Sequence, residues 1–144
     1  MSGLKTLFRL PAGERRLVLQ TLLLVATIRI ALSILKLQRV QNLTSSWQRM
    51  LVVPKDTPVS RLVWAVRAAS RRIPAASCLT QSLALHCLLT RAGHAAQIHI
   101  GVAKDPTSKF HAHAWVEHEG EPLLSDPAEI VDYVHLLAVE DKLA

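Results

Sequence analysis

At Ala95 the hydrophobic period of the chain changes, and that change limits the architectures open to it. Before it, apolar residues recur at three- and four-residue steps, as in Val59, Leu62, Val63, Val66 and Ala69, or run almost continuously, as in CLTQSLALHCLLTRAG. Beyond it they alternate: Gln97, His99 and Gly101 interleave with Ile98, Ile100 and Val102, the pattern of a half-buried strand. FHAHAWVEH supplies a second strand, and Glu119-Gly120 turns it into a third over Glu121 to Leu124, so these two read as a hairpin. Helices followed by an antiparallel sheet give an α+β chain. Its interior must be aliphatic, because half of the 144 residues are hydrophobic and only 4% are aromatic. That length suits one domain with one core.

The most apolar stretch, residues 14–39, reads as a helix. Its uncharged run, Leu17 to Ile28, is twelve residues long, too short to span a bilayer. Extension past Arg29 would set a guanidinium near the membrane centre, at a cost of about 2.5–3.5 kcal/mol. A helix buried in the fold or covered by a partner is therefore expected, with peripheral membrane contact as the other outcome. Ser45 to Pro58 contains two prolines and reads as a linker. The chain thus divides into an N-terminal helical region, 1–56, and a core region, 57–144, within one compact unit. Thr57 is expected to cap a helix that has Pro58 in its first turn and that ends before Ile73-Pro74. The next helix begins near Ser77 and stops at Gly93, with Arg91 in its last turn. The final segment, AEIVDYVHLLAVEDKLA, supports no firm assignment.

The formal charge is +6, but the basic residues are dispersed and no dense patch interleaves them with aromatics. This suits a solvated face or an acidic protein or peptide partner rather than nucleic acid. Cys78 and Cys87 lie nine residues apart in one predicted helix, too far for a disulfide, which points to a reducing compartment. MSGLKTLFRLPAGERR lacks the pattern of a secretory signal. A cytoplasmic protein is the expectation.

Cys78 falls at a predicted helix start directly after PAAS, where unpaired amides and the helix dipole favour thiolate over thiol and could stabilise an oxyanion. Cys87, deep in the same helix among Leu85, Leu88 and Leu89, reads as core packing. A thiolate needs a base, usually histidine, and a group that orients it. His86 shares the nucleophile's helix, His94 is at its cap, and His118 and His135 fall in turn or surface segments. His99, His111 and His113 remain, and the last two share one strand face with Trp115. Asp126, thirteen residues after His113 in LLSDP, is either the orienting carboxylate or a turn aspartate before Pro127. Gln81, one turn after Cys78, together with Trp115 and His111, is a secondary candidate for substrate or oxyanion contact. His111 and His113 with Cys78 or Asp126 would also make a metal ligand set, but no CxxC or HExxH accompanies them, and no metal is assigned.

RRIPAASCLTQSLALHCLLTRAGHAAQIHIGV and KFHAHAWVEHEGEPLLSDP resemble the nucleophile helix with first core strand, and the His-Ala-Trp strand with following aspartate, of the transglutaminase-like leader peptidases of lasso-peptide biosynthesis in bacteria. The resemblance implies a transglutaminase-like, papain-like cysteine protease core preceded by N-terminal helices. It carries the family's nucleophile onto Cys78, its catalytic histidine onto His113 in preference to His111, and its orienting acid onto Asp126. It implies hydrolysis of the bond joining leader to core in a lasso precursor, which frees an amine for a separate cyclase, and it implies no cofactor. The chain resembles the split form, which acts with a separate leader-recognition protein, and the apolar N-terminal helix is the candidate docking surface. The competing reading is a non-catalytic or metal-binding partner module of the same fold.

Overall fold

The structure is a computed structural model that describes residues 5, 8–104, 107, 109–124 and 134–139. The helices α1 (Ala12–Ile34), α2 (Leu37–Met50), α3 (Val59–Ser70) and α4 (Cys78–Arg91) precede the strands β1 (Gln97–Lys104), β2 (Phe110–His118), β3 (Glu121–Leu123) and β4 (Val134–Val139). The strands form one antiparallel sheet in the order β3-β2-β1-β4. The chain is thus α+β, as its change of period implies.

α4 lies at the centre, with Leu83, Ala84, Leu85, Cys87, Leu88 and Leu89 all buried. One hydrophobic core joins them to Val25 and Ile28 of α1, Val40 of α2, Leu62 and Val66 of α3, Ile98 of β1 and Val116 of β2. The core therefore runs through both 1–56 and 57–144. α1 buries Leu17, Val18, Thr21, Leu24, Val25, Ile28 and Ala31, a stripe at three- and four-residue steps. Thr21 meets its burial by donating its hydroxyl to the Leu17 carbonyl at 2.7 Å.

The apolar stretch 14–39 is not one helix. Leu35 and Lys36 are extended, at φ −121°, ψ 156° and φ −71°, ψ 150°, and α2 sets off in a new direction. No proline or glycine marks the break; Leu35 and Leu37 instead pack on the core, and tertiary contact overrides helix propensity there. The expected linker 45–58 is also shorter, because α2 continues to Met50. The segment beyond Met50 is a strap rather than a tether: Leu51 and Val53 are buried. The Gln20 amide accepts from the Val52 N–H at 2.8 Å and donates to its carbonyl at 3.1 Å, while Arg91 Nε donates to the Leu51 carbonyl at 2.9 Å. Thr57 does not cap α3. Its hydroxyl donates to the Pro54 carbonyl at 2.6 Å, and Pro58 occupies the N-cap.

β2 and β3 are joined by Glu119 and Gly120, both at positive φ (53° and 80°), as a two-residue turn matched to strand twist requires. β4, which the sequence left unassigned, lies along the other edge of β1 with a register shift between Ile100 and Gly101. β1 is consequently an inner strand, and His99, on its expected solvent face, is only 8% exposed.

α4 ends in a Schellman motif: the His94 N–H reaches the Leu89 carbonyl at 2.9 Å and the Gly93 N–H reaches that of Thr90 at 3.1 Å. Gly93 has φ 89°, and an added Cβ would approach only the Lys55 side chain, at 3.8 Å. Gly93→Ala should thus cost the backbone term alone, about 1–2 kcal/mol, read as a lower midpoint in urea denaturation.

Candidate active site

The Cys78 position is built by the five residues ahead of it, Ile73 to Ser77. Pro74 keeps α3 from continuing, the Ala76 N–H returns to the Ile73 carbonyl at 3.3 Å, and Ala75 adopts φ 60°, a left-handed conformation that an alanine holds only under constraint. Ser77 then caps α4, its hydroxyl accepting from the Thr80 N–H at 3.2 Å. Gln81, a candidate for oxyanion contact, donates its side-chain amide to the Ala76 carbonyl at 3.2 Å, which ties the turn to the helix. Cys78 is left as the first helical residue, half-buried, beside first-turn amides that have no intrahelical acceptor.

The sulfur meets the sheet at one point. Cys78 Sγ accepts a hydrogen bond from the Ala114 N–H at 3.5 Å. β3 pairs with β2 only as far as Val116 opposite Leu123, so Ala114 lies two residues past the last β2–β3 pair. The sulfur therefore sits against the peptide bond that joins His113 to Ala114.

Alternation on β2 turns Ala114 and Val116 toward α4 and turns His113, Trp115 and Glu117 to the other face. Across from them on β1 are Gly101, His99 and Gln97, opposite His113, Trp115 and Glu117 respectively. The half-buried His113 ring stacks on Trp115 with centroids 6.0 Å apart and planes 21° apart. On the indole's other neighbour, His99, the values are 5.7 Å and 15°. Trp115 is fully buried and its indole N–H donates to Glu117 Oε1 at 3.0 Å. Glu117 Oε2 lies 3.2 Å from His99 Nε2. Trp115, also considered for substrate contact, hence offers a substrate no surface. Its contacts include His113, His99 and Glu117.

The other histidines divide by place. His111 shares the face of His113 but sits two residues farther from Ala114, with its backbone opposite Ala103, a displacement of about 6.6 Å along a strand; its side chain is outside the described residues. His94 Nε2 lies 2.6 Å from the Thr57 carbonyl and His118 Nδ1 lies 2.6 Å from that of Ala95, both at the far end of the sheet. His118 ends β2, directly before the Glu119-Gly120 turn, and His135 is in β4 opposite Gly101. Asp126 lies outside the described residues. Among the described residues no group of three or more His, Cys, Asp or Glu is arranged to hold a metal ion, and His111 and Asp126 of the suggested ligand set are not covered by that statement.

Sequence reading missed Glu117 and the role of His99. The signal was available in HAWVEH, where period two puts residues 113, 115 and 117 on one face, but the partner strand's register could not be read.

The family profile described as the transglutaminase-like superfamily matches residues 22–138, a span that takes in Cys78, His113 and Asp126. Neither the curated proteins nor the solved structures contain a match.

Cys87 is 1% exposed and its thiol faces the Thr44 carbonyl at 3.9 Å, whereas Cys78 is half-open at a helix end. Iodoacetamide on the folded protein should add one group, located at Cys78 by peptide mass spectrometry, with Cys87 modified only after denaturation. Equal labelling of both would show that α4 is not packed as described.

Proposed function

From this chain's membership of the transglutaminase-like superfamily, we propose that it is a cysteine peptidase that removes the leader from a lasso-peptide precursor, with Cys78 as nucleophile, His113 as base and Asp126 as the carboxylate that orients it. The observation that carries the reading is the seat of Cys78 Sγ, at the N-terminus of α4 and against the His113–Ala114 peptide. In the reaction, the sulfur attacks the carbonyl carbon of the bond between leader and core, and its proton passes to His113. The amides of the first turn of α4 receive the developing oxyanion. Collapse breaks the C–N bond, His113 returns the proton to the leaving amine, and the leader is held as a thioester. Water then adds, giving one proton to His113 and releasing the leader as a carboxylate with the thiol restored. The freed amine is the nucleophile that a cyclase needs.

Incubation with a lasso precursor and its leader-recognition protein, followed by mass spectrometry, tests this. Cys78→Ala should abolish release, His113→Ala should slow it by about 10³-fold or more, Asp126→Asn should slow it by less, and His111→Ala should retain it. Release that persists in Cys78→Ala would remove the peptidase reading and favour a binding module of the same fold.

The proposed partner surface is α1. It is long and apolar enough to cross a membrane, at 23 residues and a mean hydropathy of 2.1, yet one stripe of it is core. The opposite stripe, Leu19, Leu23, Ile30 and Ile34, is exposed and runs along one side of the helix. The leader-recognition protein is the proposed occupant; a lipid surface is the alternative. Because deletion of residues 1–40 would also strip Val25 and Ile28 from the core, substitution is the cleaner test. Leu23→Ser with Ile30→Ser, at side chains 71% and 63% exposed, should weaken binding to that protein about 10-fold or more without lowering the melting temperature; unchanged binding sinks the assignment.

A further inference from the structure

We propose that Glu117, Trp115 and His99 act as a positioning assembly for His113: the Glu117 carboxylate locks the indole, and the locked indole fixes the plane of the catalytic imidazole. The inference rests on the peptidase reading of His113 and adds three residues to it.

The contacts form a chain. Glu117 uses one carboxylate oxygen for the Trp115 N–H at 3.0 Å and sets the other 3.2 Å from His99 Nε2. Both anchors hold the same planar ring, since Trp115 also stacks on His99 at an interplanar angle of 15°. The same ring meets His113 at 21°. Three rings are thereby ranked along one face of the sheet, and only the last, His113, borders the peptide bond against which Cys78 Sγ sits.

Two features separate this from ordinary packing. An imidazole removed from water is costly unless its nitrogens are partnered; His99 is nevertheless 8% exposed, with the carboxylate of Glu117, whose side chain is 27% exposed, 3.2 Å from its Nε2. Moreover, the residue opposite His113 on β1 is Gly101, which contributes no side chain to confine the imidazole. Trp115, two residues on along the same face of β2, stacks on it. An imidazole that must take a proton from sulfur and return it to a leaving amine needs a fixed plane, because displacement of about 1 Å can cost 10²-fold in rate. The indole face also suits the imidazolium formed between those two transfers, a cation within about 6 Å of an aromatic ring.

The test compares kcat and KM for leader release in Glu117→Ala, Glu117→Gln, Trp115→Phe and His99→Gln, with the rate of Cys78 alkylation by iodoacetamide at fixed pH as a readout that needs no substrate. Glu117→Ala and Trp115→Phe should each lower kcat about 10- to 100-fold with KM unchanged. Glu117→Gln, which keeps an oxygen for the indole N–H, should recover most of the loss. Combining Glu117→Ala with Trp115→Phe should be no worse than the more severe single change, because both break one chain of contacts. Where Glu117→Ala does not fold, Trp115→Phe and His99→Gln carry the comparison. Wild-type release alongside kcat within about twofold of wild type in the folded variants, or additive losses in the double variant, overturns the assembly. A wild-type protein that releases no leader, but whose Cys78 alkylation slows several-fold in Trp115→Phe, retires the peptidase reading and leaves the positioning of His113 standing.

Discussion

Everything in this fold is referred to α4, because it is the one helix enclosed on nearly all sides. α1, α2 and α3 cover it from one direction and β1 and β2 from the other, through the single core that all of them share. A helix so enclosed cannot slide or rotate without opening voids along its whole length, and protein interiors tolerate few of those. Its two ends are fixed as firmly as its middle: Ser77 caps the start and the Schellman turn at Gly93 closes the finish. The consequence for function is positional. Cys78 is carried on the rigid end of the best-held element, so the sulfur's distance from β2 is set by the core rather than by the loop that precedes it.

Much of this was legible from residue order, for reasons that are local. Ser77, Gly93, Ile73-Pro74 and Glu119-Gly120 act through their own backbone chemistry, and each does in the structure what its type implies. Period two marked β1 and β2 because one face of each is apolar. The features that escaped depend on distant partners. Nothing at Leu35-Lys36 forbids a helix; the break arises from the packing of Leu35 and Leu37. The strap 51–58 looked like a linker because its prolines are visible in the residue order while the Gln20 clamp on Val52 comes from 32 residues away. β4 was hidden because its six residues become a strand by pairing with β1, and the burial of His99 comes with its contacts to Trp115 and Glu117 on β2. At the site, the residue order carried the residue types, but only register shows that His99 faces Trp115 and that Gly101 faces His113.

α1 shows a tension between the demands of the core and those of the surface. Its inner stripe is needed to roof α4, yet its outer stripe leaves Leu23, Ile30 and Ile34 to water. Covering such side chains is worth about 1.5–3 kcal/mol each, so a chain gains nothing for its own folding by keeping them there. The arrangement makes sense where a second surface completes the burial. It also explains why α1 meets the length and hydropathy of a membrane span while belonging to the core: a buried apolar stripe and an exposed one lie on the same helix.

The contact of the Cys78 sulfur with β2 depends on where β3 stops. Cys78 arrives with the helix on the face toward which Ala114 and Val116 turn, and its sulfur reaches β2 at the Ala114 N–H, beyond the last β2–β3 pair. If β3 continued two residues past Leu123, its backbone would take the Ala114 N–H and fill the space that the sulfur occupies. Leu124 prevents this. Its φ of 65° turns the chain out of strand geometry immediately after the last pair, a conformation that costs a non-glycine residue about 1 kcal/mol or more. That cost is incurred at the first position where a longer β3 would close the gap. A three-residue edge strand is therefore the condition for the site, since it is long enough to form the hairpin and short enough to leave one amide for the cysteine.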